Sequence, residues 1–163
     1  MSNREFFAQL CSHEFPRFLG VLQATPGDCL DYRPHERCRS AHQLVAHLIG
    51  HELDLLELIE TGDINHRIEV PFTTMDEAVR IYQNAHASVE QRLATLDDEA
   101  WNAMGKFILK GNVLMEMPRH GLAWMLMLDA IHHRGQLSVY LRPMGAKVPG
   151  IYGPSADTMP AGA

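Results

Sequence analysis

The chain has no apolar run near the roughly 18 residues a membrane-spanning helix needs. Its first residues, Met1 to Phe7, lack the charged start and long apolar stretch of a secretion signal. Basic clusters are missing too. Lys and Arg number 14 against 20 Asp and Glu, a formal net charge of −6 with His neutral. That balance excludes the electrostatic footprint of a nucleic-acid or membrane-surface binder. Cysteine is sparse: Cys11, Cys29 and Cys38 are widely spaced and form no CxxC pair. Such usage reads as reduced thiols in a cytoplasmic protein. A glycine-rich phosphate loop, a nucleophile elbow and an HExxH motif are all absent. The expectation from these absences is a soluble, cytoplasmic chain with no nucleic-acid or membrane partner.

What is present is helical periodicity and imidazole. The 163 residues suit one domain over 1–163, and 46% apolar with 21% charged content is ordinary for a globular protein. Four helical patterns emerge. The first runs from about Arg4 to Leu22 and is interrupted by Pro16, which predicts a kink or a delayed start. A polar link over 25–39 follows. Ser40 is a natural N-cap for the second helix, which Thr61-Gly62-Asp63 stops. Thr74 and Glu77 form a capping box for the third, ending near Leu96. Between Trp101 and Met117 a Lys-Gly-Asn turn separates short apolar runs, consistent with a small hairpin. Pro118 suits the first turn of a fourth helix reaching about Arg142. The Gly- and Pro-rich stretch 146–163 reads as an extended wrap ending in disorder. Together these elements predict an all-α four-helix bundle.

The chemistry lies in histidines on apolar stripes. His47 and His51 interrupt the stripe of Leu44, Leu48 and Leu55 on the second helix. Asp129 and His133, four residues apart, share one face of the fourth. Facing helices can bring His47 to Asp129 and His133, and two imidazoles with a carboxylate suit Zn²⁺ or another first-row divalent ion. Three protein ligands leave a position open, as catalytic sites do. A hydrogen-bonded structural cluster explains the same spacing. His51 sits one turn beyond His47 and reads as a replacement ligand, an outer partner or a proton carrier. His132 points roughly 100° away from His133 and cannot share its ion; it reads as a contact to the third helix or the surface, or as a proton carrier. Gly135 reads as a site of close helix approach. Cys11 reads as a buried, inert thiol.

The stretch Leu128-Asp-Ala-Ile-His-His-Arg-Gly-Gln-Leu-Ser-Val-Tyr-Leu-Arg142 resembles the signature of the DinB/YfiT-like superfamily. Ser40 to His47 and Val148 to Asp157 are similar to that family's second helix and tail. The resemblance implies an up-down-down-up bundle with a long crossover between helices two and three, here Gly62 to Thr73. It also implies a divalent metal, often zinc or nickel, held by His47, position 129 and His133. Asp129 stands where the family pattern has His. A carboxylate there makes a 2-His-1-carboxylate set and favours Mn²⁺, Fe²⁺ or Zn²⁺, or else only orients a neighbouring His.

The functional expectation is a metal-dependent hydrolase or thiol S-transferase acting on a small molecule, with a low-molecular-weight thiol as possible co-substrate. On that reading His47, Asp129 and His133 hold the metal, and His51 or His132 moves protons. The alternative is a non-catalytic stress-response or ligand-binding bundle that forms a homodimer.

Overall fold

The structure is a computed structural model and describes residues 1–159. Four long helices dominate: α1 (Asn3–Ala24), α2 (Ala41–Thr61), α3 (Met75–Thr95) and α5 (Arg119–Tyr140), with a one-turn α4 (Asp98–Asn102). α1 packs on α3 and α5, and α2 packs on the same two. Caps set the starts. Ser40 Oγ accepts from the Gln43 N–H while Gln43 Oε1 accepts from the Ser40 N–H, a reciprocal pair that fixes where α2 begins. Thr74 Oγ1 caps α3 through the Glu77 N–H, but the expected capping box is not closed: Glu77 Oε2 accepts from the Thr73 N–H at 2.8 Å, one residue before the cap. Gly62, with φ of 94°, ends α2 in the left-handed conformation.

The chain is not all-α. β1 (Ile64–Asn65) runs parallel to β2 (Met104–Leu109), which pairs antiparallel with β3 (Asn112–Pro118), in the order β1-β2-β3. The β2–β3 turn is Lys110-Gly111, both at positive φ, the two-residue geometry whose twist matches a hairpin. The hairpin thus lies where the sequence pattern pointed. β1 lies inside the 62–73 crossover and is two residues long, too short to leave a periodicity. β2 crosses the end of α2 at Gly105, where an added Cβ would strike the Gly62 carbonyl and the Arg119 side chain. Glycine is required there by space.

Three local expectations also change. Pro16 lies inside an unbroken α1. Pro118 closes β3 and precedes α5, which ends at Tyr140. A methyl group added at Gly135 would meet nothing within 4 Å, so no helix approaches it. Residues 146–159 return along the helices, where Val148 and Ile151 pack on the core; the last expected residues of that tail, 160–163, lie outside the described ones. Among the described residues no helix is long and apolar enough to cross a membrane.

Candidate metal centre

α2 buries residues on nearly every side, so His47 and His51 are carried inward, 5% and 6% exposed. α5 faces it, and Asp129 enters between them. His51 Nε2 lies 2.7 Å from Asp129 Oδ2, His47 Nε2 3.3 Å and His133 Nε2 3.3 Å. Three imidazole nitrogens from two helices therefore meet one carboxylate oxygen. His47, His51 and Asp129 place ligand atoms within 4.8 Å of one another. His133 is outside that set and joins the cluster at Asp129.

The protonation of His133 follows from its neighbours. Arg39 Nη1 is 2.9 Å from His133 Nε2, and a guanidinium only donates. His133 Nε2 must therefore accept, so the ring proton is on Nδ1. That N–H donates to Gln136 Oε1 at 2.7 Å, leaving the Gln136 amide to donate to His132 Nε2 at 3.0 Å. The chain His132–Gln136–His133 keeps His133 Nε2 an acceptor, its lone pair taken by Arg39 and 3.3 Å from Asp129 Oδ2. Two acceptors facing each other repel unless a cation stands between or beside them. In this arrangement Arg39 is that cation.

Charge follows burial. Burial, with His51, Arg39 and His133 adding, pushes the His47 imidazole down to about 3, so it is neutral. His133 is pushed down as well, by burial first. The hydrogen bond from His51 holds the Asp129 carboxyl well below its usual range. His47 and His133 biased to the neutral form beside an ionised Asp129 are the protonation states a divalent ion needs. Because the Asp129 carboxylate only accepts, His51 Nε2 carries the ring proton and its Nδ1 the lone pair, while His47 Nδ1 and His51 Nδ1 are both buried without partners. The donor set fits a first-row divalent ion, with His133 already set to offer Nε2.

His132 does not reach the cluster. It is exposed, and its Nε2 faces Gln136. Cys11 is buried and its thiol pushed up by burial, which makes it inert.

The cluster forms one wall of a pocket of about 650 Å³. His66, Phe107, Met125 and Leu126 line it further, as do Arg37, Cys38, Arg39, Gln136 and Tyr140. His66 and Phe107 are brought in by β1 and β2, with ring centroids 5.0 Å apart. His66 Nδ1 donates to Asp54 Oδ2 at 2.7 Å, and Asp54, fully buried, is held in turn by Arg67 Nη1 at 2.7 Å. Sequence reasoning missed both pocket residues. His66 lies in a link with no periodic context, and no spacing ties it to α2.

This fold and cluster define a class. The chain belongs to the DinB family, whose sequence profile matches residues 1–161. It is similar to a DinB-like protein from Bacillus cereus ATCC 10987, with a TM-score of 0.75 and 19% identity over 91% of this chain and 97% of the other. A DinB-like protein from Bacillus subtilis gives 0.68 and 20%, covering 90% and 98%. The mycothiol-dependent maleylpyruvate isomerase gives 0.51 and 13%, covering 88% of this chain and 61% of that protein. At these identities the likeness shows the fold. An uncharacterized protein of Bacillus subtilis strain 168, YrdA, is 45% identical over 42 residues, 26% of this chain. The matched stretch spans a quarter of that curated relative, 25% of its length.

Proposed function

We propose that this chain is a metal-dependent enzyme acting on a small molecule, with transfer or isomerisation assisted by a low-molecular-weight thiol as its reaction class. One observation carries the reading: three Nε2 atoms meet at Asp129 Oδ2, and His133 offers a lone pair whose tautomer is fixed from outside the cluster. His47, His51 and Asp129 would hold the ion, and His133 would add a fourth donor once Arg39 leaves it. Zn²⁺, Ni²⁺, Mn²⁺ and Fe²⁺ all match this donor set. Such an ion supplies a Lewis acid that favours the deprotonated form of a thiol or water near neutral pH.

The chain's own residues supply the remainder. Asp54 orients His66 so that Nε2 is free to take a proton inside the pocket. Phe107, Met125 and Leu126 keep that space apolar and limit water. The fold likeness to a mycothiol-dependent isomerase supports a thiol over water as the nucleophile. The reading includes an up-down-down-up bundle and a cytoplasmic location, where such thiols are kept reduced.

A panel of low-molecular-weight thiols, each paired with an electrophile, tests this on metal-loaded protein. Thiol-dependent turnover that disappears in His47→Ala is expected. Turnover that needs metal but no thiol would replace transfer with hydrolysis. Loaded protein inert with every pair would contradict catalysis. A second reading, a non-catalytic homodimer, draws on exposed Leu128 and Val139 along α5, 60% and 72% accessible.

A further inference from the structure

The ligand cluster uses only some of the pocket lining and leaves two charged lining residues without an assigned partner in a substrate. These are Arg37 and Arg39, both exposed. Arg4, Arg67, Arg92, Arg134 and Arg142 each pair with a carboxylate; among the described residues Arg37 and Arg39 do not. Asp129 is the one carboxylate on the pocket wall, so two guanidinium charges face a single negative one even before an ion adds its own. A concave site with that excess attracts anions.

Arg39 has a further property. Its Nη1 donates to His133 Nε2, which has a single lone pair, so an ion claiming that nitrogen must displace the guanidinium. The backbone stays in place: Tyr140 Oη donates to the Arg39 carbonyl at 3.2 Å, and Ser40 next to it caps α2. The exposed side chain, which already lines the pocket, is the part left to move.

We propose that the pocket takes a small organic anion whose charged group is received by Arg39, released from His133 when the ion binds, with Arg37 beside it. The apolar body of that molecule lies along Phe107, Met125 and Leu126. The assignment rests on the metal-binding reading and names the substrate class for the same site. Carboxylate and phosphate both present oxygens that match a guanidinium fork.

Calorimetric titration of metal-loaded protein with 3-phenylpropanoate, phenyl phosphate and uncharged 3-phenylpropanamide tests it. At least one anion is expected to bind, with the amide at least about tenfold weaker; the tighter anion identifies the group. Arg39→Gln should weaken the anion at least about tenfold, and Arg39→Lys should retain part of it. Competition with a chromophoric chelator should show Arg39→Gln holding the ion more tightly, because its rival for His133 is gone. Equal binding of amide and anion, unchanged anion affinity in Arg39→Gln, or no anion binding at all would overturn the proposal. Protein that takes up no ion yet binds the anion through Arg39 would remove the metal reading and leave the anion site standing.

Discussion

Asp129 and His133 were visible in the sequence because helical spacing alone puts them on one face, and their partners His47 and His51 sit on a stripe of the same kind. What spacing could not show is which imidazole is set to give its lone pair. That is decided by Arg39, 94 residues away along the chain, and by Gln136. His132 lies outside the pocket lining and acts through Gln136, which gives the paired histidines different tasks. Gln136→Leu removes the acceptor that fixes the His133 tautomer. Outer partners of this kind typically contribute about 10–100-fold to metal affinity. A loss in that range, read by chelator competition with the melting temperature little changed, is expected. Unaltered affinity would show that the His133 tautomer does not matter.

At the scale of elements, helix caps at Ser40 and Thr74 and the Lys110-Gly111 turn were legible because each is local chemistry. The sheet was only half legible. β1 pairs Ile64 with Phe107, a contact between distant segments that no window of sequence contains. That pairing is what delivers His66 and Phe107 to the pocket. Gly105 makes the crossing possible, since β2 passes against the Gly62 carbonyl. Gly105→Ala forces backbone apart and should cost about 1–3 kcal/mol in denaturant unfolding. If stability is unchanged, the close passage is absent in solution. Asp54→Asn takes the charged partner from His66 and leaves Arg67 paired with Glu57 alone, so we expect reduced turnover. An ion held by His47, His51 and Asp129 is retained, whereas an ion held by the other candidate group, His51, Asp54 and His66, is lost.

The whole molecule is closed by a buried ion pair that the signature HHRGQ reveals only once folded. Arg134, 2% exposed, donates to Glu14 of α1 and to Tyr152 Oη of the tail at 2.7 Å, and its guanidinium lies 4.6 Å from the Phe18 ring centroid. Tyr152 Oη donates to Glu14 as well, at 2.9 Å. Helix α5, helix α1 and the tail are thereby joined. Arg134→Met strands a buried carboxylate and should destabilise by about 3–5 kcal/mol. Burial pushes the Glu14 carboxyl up, but the hydrogen bonds from Arg134 and Tyr152 and the Arg134 charge more than reverse it, leaving it below its ordinary 4.5. In that range the unfolded chain binds the proton and the folded one does not. The stability from Glu14 is therefore complete above pH 4.5 and lost as pH falls through the lower folded value. Glu14→Gln should flatten that part of the acid unfolding curve; an unchanged slope would show the pair to be uncharged or broken.

Metal stoichiometry tests the central claim most directly. Protein prepared without an affinity tag, loaded in turn with Zn²⁺, Ni²⁺ and Mn²⁺ and measured by native mass spectrometry, should carry one ion per chain for at least one metal. That ion should be lost in both His47→Ala and Asp129→Ala while each variant stays folded by circular dichroism. A wild-type chain that carries none of these ions, or folded variants that keep the full complement, would contradict the account.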